Sequence, residues 1–316
     1  MQEYLLATSR ASRLSIRPRI AQSLRLRFAG RRNALAADRT RWLCYTSARN
    51  KGPFDGAPTE YRWAPLDRVL EACARRTERL RRRRGGRFRI AASTQEATAT
   101  WLAAAPWAEP VAIPLATVMP RVRIPGARDE LELRRDERIA LYFGAVYAAK
   151  DPDPVWEAFE TLHDWRLIAA GPYVEKSYRR WALARGGAPG RPPITFDGFV
   201  DEHTKELVYS AADLAVISFR RGRMDDSATV TDAIAWGIPM VCSDGGAAAD
   251  TVRKYGLGSL FTAGDAESLA RAVRGSSALP DANGLERARD DLSLRRMAGL
   301  CLTVLDMVAP PPLSDS

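Results

Sequence analysis

The sequence predicts an α/β fold in which short parallel strands alternate with helices. From Arg138 onward, short apolar runs are separated by stretches in which apolar residues recur at helical spacing. This alternation is typical of a parallel sheet covered by helices. A glycine follows the runs that end at Phe143 and Ala170, and glycine lets a chain turn closely as it leaves a strand. The predicted strands are 139–143, 166–170, 194–196, 214–218, 239–242 and 259–262.

The length of 316 residues allows two domains, each with its own core. Residues 1–126 predict a first, smaller α/β domain, 127–137 a polar linker, and 138–282 the clearer second domain. Residues 283–316 predict helices that can cross back to the first domain, followed by a proline-rich tail. In the first domain, strands are predicted at 3–8, 41–46, 87–93 and 110–115, and helices at 19–28, 66–84 and 94–104.

Composition argues against several classes of protein. The four cysteines lie far apart, without a C-x-x-C pair or a Cys/His cluster, so we expect free thiols in a reducing cytoplasm and no zinc site. No run of about 18 apolar residues occurs, which argues against a membrane span. The start of the chain lacks the pattern of a signal peptide. A globular cytoplasmic protein is therefore expected.

The net charge of +10 comes almost entirely from arginine, and one arginine cluster is dense. A solvated helix end explains such a cluster. Attraction to anionic lipid headgroups is the alternative, and it would make the protein peripheral on the inner face of the membrane. No nucleic acid partner is expected, because aromatic residues do not interleave with the arginines. The cluster consists of Arg75, Arg76, Arg79, Arg81, Arg82, Arg83, Arg84, Arg87 and Arg89.

The stretch 227–244 carries the strongest functional signal. It predicts a helix that begins with small hydroxylated residues at Ser227, carries a carboxylate at Asp232 and ends at Gly237 before an apolar strand. The unpaired N–H groups and the partial positive charge of a helix N-terminus can hold phosphate. A carboxylate one turn further along can accept hydrogen bonds from sugar hydroxyls. The alternative is an ordinary serine cap without a ligand.

This stretch and five others stand in an order that resembles the nucleotide-binding half of the GT-B glycosyltransferases, in particular the retaining family 4. The resemblance implies an α/β fold of two Rossmann-like domains (GT-B). The N-terminal domain would be reduced or truncated, because no glycine-rich turn stands near its start. The five other stretches are RIALYFGAVYAAKDPDPVWEAFETL from Arg138, WRLIAAGP from Trp165, ITFDGFV from Ile194, LVYSAADLAVISF from Leu207 and GLGSLFTAGDAESLARAV from Gly256.

The resemblance implies roles for residues that follow these strands. Gly144 would let the backbone approach the donor, and Lys150 would neutralise its diphosphate. A surface lysine at a helix start is the alternative for Lys150. The family usually has an arginine directly after the glycine, where this chain has Ala145. Phe199 and Val200 would contact the nucleobase, although a core position for Phe199 fits the pattern equally well.

The two acidic positions of the family match only in part. Asp232 takes the position that grips the ribose hydroxyls, with Asp in place of Glu. Met224 stands where the other acid would contact the donor sugar, and the adjacent Asp225 or Asp226 could replace it. Of these two we favour Asp225. Three backbone N–H groups would bind the diphosphate, those of Ser227, Ala228 and Thr229.

The resemblance predicts an enzyme that moves a sugar from a UDP- or GDP-linked donor to an acceptor hydroxyl with retention. The predicted catalytic residues are Lys150, Asp225 and Asp232. The acceptor would be a carbohydrate or a lipid-linked glycan in polysaccharide or glycolipid assembly. His163 is expected at the surface and His203 as a helix cap. Members of this family are thought to need no protein base, because the leaving phosphate can take the acceptor's proton.

Neither a metal nor a separate cofactor is expected. No Asp-x-Asp motif occurs in a strand-end loop, since the prolines of 151–154 favour a helix start. The alternative to an enzyme is a non-catalytic binding subunit that keeps the fold. Met224 and Ala145 at family positions and the short first domain favour that alternative.

Overall fold

The computed structural model describes residues 42–45, 88–92, 109–116, 119–147, 150–174, 179–182, 192–221, 227–276 and 280–304. The chain divides into two compact units, Met1–Ile113 with Ala298–Ser316, and Pro114–Met297. The strand predicted at 3–8, the helices predicted at 19–28, 66–84 and 94–104, and most of the arginine cluster lie outside the described residues.

The first unit contains a three-stranded parallel sheet. Its strands are β1 (Trp42–Tyr45), β2 (Phe88–Ala92) and β3 (Glu109–Ala112), and they pair in that order. β1 and β2 agree with the predictions at 41–46 and 87–93 to within one residue, whereas β3 starts one residue before the predicted 110–115 and ends three residues before it. Parallel neighbours need crossover connections, so the pairing agrees with the predicted α/β class.

The second unit contains a six-stranded parallel sheet in the order β6-β5-β4-β7-β8-β9. This order is that of a Rossmann-like sheet, and ligands bind beyond the carboxyl ends of such strands where the order reverses. Here the reversal lies between β4 and β7. Each predicted strand agrees with an observed one to within one residue at either end. The strands are β4 (Arg138–Phe143), β5 (Trp165–Gly171), β6 (Ile194–Asp197), β7 (Leu214–Ile217), β8 (Met240–Ser243) and β9 (Gly258–Phe261).

Helices cover both faces of this sheet. Leu141 packs in an apolar cluster with α3, α4, α5 and α7, whereas its neighbour Tyr142 packs in a second cluster with α2 and α6. Both faces are apolar because a parallel sheet is buried on both sides. Among the described residues, no helix has the length and apolar character needed to cross a membrane. The helices are α1 (Ala127–Glu130), α2 (Asp153–Thr161), α3 (Glu202–Ala211), α4 (Ala228–Trp236), α5 (Gly246–Tyr255), α6 (Ala266–Arg274), α7 (Ala282–Asp291) and α8 (Leu294–Val304).

The stretch predicted as a linker, 127–137, is held on the second sheet. The Arg128 guanidinium donates to both carboxylate oxygens of Asp213, at 2.7 and 2.6 Å. Just before α1, the Ile124 N–H donates to Ser210 Oγ at 2.9 Å. These contacts join the stretch to the second unit, which begins at Pro114, ahead of the predicted linker. The predicted ranges 1–126, 127–137, 138–282 and 283–316 stay predictions.

Candidate functional site

Two glycines lie at the carboxyl ends of β4 and β5, beside the reversal point of the second sheet. Gly144 follows β4 with a φ of 102°, and Gly171 ends β5 with a φ of 145°. The Gly144 N–H donates to the Ala170 carbonyl at 2.8 Å. A Cβ on Gly171 would lie 2.3 Å from the Gly144 carbonyl oxygen, so only glycine fits there. The two strand ends therefore meet closely, and the backbone of Gly144 lies at the edge where a ligand is expected.

The Lys150 ammonium lies on the end of β4. Its Nζ donates to the Phe143 carbonyl at 3.1 Å, and a Cβ on Gly144 would lie 2.6 Å from it. The backbone of Lys150 is held as well, since the Tyr142 hydroxyl donates to its carbonyl at 3.3 Å. The half-buried Lys150 side chain therefore ends at the carboxyl end of β4, where the diphosphate is predicted to bind. Its role in binding stays a prediction.

The start of helix α4 meets the same strand end. Ser227 is the N-cap, as predicted, and its Oγ accepts from the Thr229 N–H at 3.3 Å. Thr229 Oγ1 donates to the Phe143 carbonyl at 3.3 Å, which is the acceptor that Lys150 also uses. Ala228 is exposed, whereas Ser227 and Thr229 are buried. A lysine ammonium and the positive end of a helix thus converge on one point, which favours an anion there.

Asp232 lies one helical turn beyond this point and is held by two residues of α3. Its Oδ1 accepts from Lys205 Nζ at 3.0 Å, and its Oδ2 lies 3.5 Å from the Tyr209 hydroxyl. The Asp232 side chain is 13% exposed and the Lys205 side chain 26%. We call Lys205, Tyr209 and Asp232 the carboxyl-edge cluster. Sequence reasoning missed Lys205, because only the packing of α3 against α4 brings it to Asp232.

Electrostatics and aromatic contacts tie this cluster to the end of β4. Burial raises the pKa of Tyr209 well above its ordinary value, and the Asp232 carboxylate raises it further, so the hydroxyl stays protonated. Lys205 Nζ lies 5.8 Å from the ring centroid of Phe143 and 5.9 Å from that of Tyr209, within range of a cation–π attraction. Phe143 therefore meets Lys150 at its carbonyl and Lys205 at its ring.

The loop after β6 presents an aromatic side chain at the surface. Phe199 is 75% exposed, so the alternative of a core position is wrong. Val200 is half-buried and packs against the core. Asp197 accepts a hydrogen bond from Arg179, which anchors the loop to the helical residues 179–182. An exposed ring beside a fixed loop suits base contact, and this role stays a prediction.

Asp151, next to Lys150, is a buried carboxylate that the sequence did not mark as a site residue. Its φ is 41°, and the whole residue is 8% exposed. Burial raises its pKa, although Arg220, with Nε 3.5 Å from Oδ1, opposes that shift. Ser218 Oγ donates to its carbonyl at 2.8 Å. Helix α2 begins at Asp153, as predicted for this proline-containing stretch.

Some predicted residues have a different outcome. Asp225 and Met224 lie in 222–226, outside the described residues. His203 is not the cap of α3, since Asp201 Oδ1 accepts from the Thr204 N–H at 2.7 Å and the ring of His203 lies 2.9 Å from Glu130. The prediction of a histidine cap was wrong, because a carboxylate accepts such a bond more readily. His163 is exposed, in agreement with its prediction.

Metal binding finds no support in the part of the chain that the structure describes. There, no group of three or more His, Cys, Asp and Glu side chains could hold an ion. The predicted lack of a metal requirement is not tested by this observation, since 222–226 contribute two further aspartates.

Comparison with known proteins gives one family and a set of similar folds. The family model described as glycosyl transferases group 1 matches residues 124–285, just over half of the chain. No curated protein matches significantly. The sucrose-phosphate synthase of Thermosynechococcus elongatus is similar at a TM-score of 0.67 and 20% identity, over 89% of this chain and 70% of that one.

Two further solved structures are similar in fold. HepE of Anabaena, in complex with UDP-glucose, has a TM-score of 0.58 and 14% identity, over 75% of this chain and 69% of that one. The UDP-forming alpha,alpha-trehalose-phosphate synthase of Burkholderia vietnamiensis has a TM-score of 0.60 and 12% identity, over 95% of this chain and 78% of that one. At these identities the likeness concerns the fold, and it confirms the predicted α/β fold of GT-B type.

Proposed function

Since this chain belongs to the glycosyl transferases group 1 family and is an enzyme that transfers sugars, we propose that its donor is a nucleoside-diphosphate sugar. The donor would be UDP- or GDP-linked, and its sugar would pass to an acceptor hydroxyl with retention. The complex of HepE with UDP-glucose supports a donor of this class. The proposal depends on one geometric observation. Lys150 and the start of α4 both contact the end of β4.

This convergence suits the departure of a diphosphate. As the bond between sugar and diphosphate breaks, negative charge grows on the leaving oxygen. Groups already fixed toward that position stabilise the charge without having to reorient. Lys150 Nζ is fixed by one of its three N–H groups, which donates to the Phe143 carbonyl, and the single proton of Thr229 Oγ1 goes to the same carbonyl and holds the start of α4 in place. Gly144 would allow the phosphates to come close to the backbone.

The remaining parts of the donor fit the residues around this point. The ribose would lie on Asp232 and the base on Phe199, which is exposed. The leaving phosphate would take the acceptor's proton, so the reaction would need no histidine. We propose a carbohydrate or lipid-linked acceptor in polysaccharide or glycolipid assembly. We also propose that the enzyme acts at the cytoplasmic side of an anionic membrane, and this proposal depends on the arginine cluster alone.

The first prediction tests the diphosphate role of Lys150. In Lys150→Met, we expect turnover of the donor sugar to fall by about 100-fold or more, which is the usual effect of losing one such donor group. The dissociation constants of UDP and GDP should rise in the same variant. Lys254→Met is the matched control, because Lys254 lies on α5 and pairs with Asp291. Thermal shift with UDP- and GDP-linked compounds measures nucleotide binding, and hydrolysis of the donor sugar measures turnover.

Two outcomes would contradict the proposal. Equal nucleotide affinity in Lys150→Met and the wild type would remove Lys150 from the diphosphate site. Nucleotide binding by the wild type without turnover of any donor sugar would favour a non-catalytic subunit instead.

A further inference from the structure

The carboxyl-edge cluster contains a charge pair that fold stability alone does not explain. The side chains of Asp232 and Lys205 are both partly buried, with exposures of 13% and 26%. Removing two such charges from water costs about as much as their attraction returns, so a buried pair is weak evidence for stability. The pair lies one turn from the start of α4, on the side of the candidate diphosphate site.

We propose that Lys205 both orients Asp232 and donates beside it to the ribose, and that it thereby determines the preference of the donor site for ribose over 2′-deoxyribose. The inference rests on the proposed function, since it assumes that a nucleotide binds beside Asp232. Aspartate is one methylene shorter than the glutamate of the family, so its reach toward a sugar depends more strongly on how it is held. Lys205 holds Oδ1 at 3.0 Å, and the Tyr209 hydroxyl lies 3.5 Å from Oδ2.

The cluster matches the chemistry of a ribose hydroxyl. A hydroxyl is one donor and two acceptors, whereas a carboxylate only accepts and an ammonium only donates, with three N–H groups. A 2′-hydroxyl beside the pair can therefore donate to Asp232 and accept from Lys205 at once. A 2′-deoxyribose can do neither, and it would leave both charged groups without that partner, which is the source of strong discrimination in polar pockets.

Tyr209 places a neutral hydroxyl beside the second carboxylate oxygen of Asp232. Its hydroxyl is fully buried and stays protonated, because burial and the nearby carboxylate raise its pKa. It can donate to Asp232, but it cannot neutralise the carboxylate. The ammonium of Lys205 is therefore the group in this cluster that balances the charge and orients the first oxygen.

The test compares nucleotides that differ only at the 2′ position. Calorimetry would give dissociation constants of UDP and 2′-deoxy-UDP, and of the guanosine pair, for the wild type, Lys205→Met, Lys205→Arg and Asp232→Asn. We expect the wild type to prefer the ribonucleotide by about tenfold or more, the value of one hydrogen bond to a charged group. Lys205→Met should lose this preference through weaker UDP binding, and Lys205→Arg should restore part of it.

Two further variants complete the comparison. The double variant Lys205→Met with Asp232→Asn should discriminate no less than either single variant, since residues that act as a unit are not additive. Lys254→Met should keep the wild-type preference. If Lys205→Met does not fold, Lys205→Gln replaces it, because glutamine can donate but carries no charge.

The outcomes separate this inference from the proposed function. The inference would be overturned if Lys205→Met kept the wild-type preference for the ribonucleotide. It would also be overturned if this variant bound the ribonucleotide and the 2′-deoxyribonucleotide more weakly by the same factor. The proposed function would stand in either case, provided that Lys150→Met still weakens all nucleotides. A wild type that binds neither UDP nor GDP would overturn both.

Discussion

The second unit contains two clusters of the same three residue types at opposite edges of its sheet. In the carboxyl-edge cluster, the distance from lysine Nζ to aspartate oxygen is 3.0 Å, and in the other cluster it is 3.2 Å. The tyrosine hydroxyls lie 3.5 and 2.8 Å from the aspartates. The second cluster, which we call the amino-edge cluster, consists of Lys254, Tyr255 and Asp291.

The clusters differ in position and burial. Helix α5 starts after the carboxyl end of β8 and runs back, so that Lys254 and Tyr255, at its end, lie at the amino edge. There, the side chains of Lys254 and Asp291 are 63% and 39% exposed, against 26% and 13% in the carboxyl-edge cluster. The same chemistry therefore serves an ordinary surface pair in one place and a candidate ligand contact in the other. Residue type alone does not distinguish the two clusters, whereas their burial and their distance from the start of α4 do.

The largest expected difference concerns stability. Lys205→Met leaves the Asp232 carboxylate largely buried with only the Tyr209 hydroxyl, so we expect the free energy of unfolding to fall by about 1–3 kcal/mol. Lys254→Met removes an exposed charge, and the loss should stay below about 1 kcal/mol. Urea unfolding of the two variants and the wild type measures both values.

A second variant checks the reason for that loss. Adding Asp232→Asn to Lys205→Met removes the unpaired charge, so the double variant should recover part of the lost stability. Equal losses in Lys205→Met and Lys254→Met would mean that burial does not distinguish the two clusters.

Much of the fold around these clusters was predictable because its signals are local. Strands of a parallel sheet are buried on both faces and read as continuous apolar runs, as RIALYF at β4 does. The start of α4 at Ser227 was predictable because a serine cap bonds within its own helix turn. The end of α4 was predictable too, since Gly237 takes the left-handed conformation with a φ of 64°.

The rest of the site depends on contacts between distant residues. Lys205 and Asp232 are 27 residues apart, and nothing in either local sequence indicates that they meet. The exposure of Phe199 likewise depends on how its loop leaves the sheet, so the sequence left a core position open. The error at His203 was local in origin, because Asp201 and His203 are both polar residues at the start of α3, and the Asp201 carboxylate accepts the capping bond.

The second expected difference is in how the free energy of unfolding depends on pH in the alkaline range. Tyr209 has a pKa raised well above 10.0 by burial, so above about pH 10 the unfolded chain loses a proton that the folded chain keeps. Stability contributed by the neutral hydroxyl is therefore lost as pH rises, by about 1.4 kcal/mol per pH unit. In Tyr209→Phe this part of the slope should vanish, as measured by urea unfolding between pH 9 and 11.

Tyr255→Phe is the matched control for that slope. The pKa of Tyr255 is also raised, chiefly by burial, but less strongly than that of Tyr209. The loss of stability that Tyr255 contributes should begin at the same pH as that of Tyr209 and should level off at a lower pH. Parallel curves for the wild type and Tyr209→Phe would contradict the burial of the Tyr209 hydroxyl.

The smallest expected difference belongs to Asp291. The Tyr255 hydroxyl, and then Lys254, hold the pKa of this carboxyl below 3.8, so its contribution to stability is present above that value and is lost as pH falls through the lowered pKa. Asp291→Asn should cost less than about 1 kcal/mol near neutral pH, because the pair is exposed and screened by solvent. The deficit should shrink toward zero as the pH falls below 4, measured by urea unfolding at the acid values where both proteins stay folded. A deficit as large as that of Lys205→Met, or one that does not change with pH, would show that the amino-edge cluster is more than a surface pair.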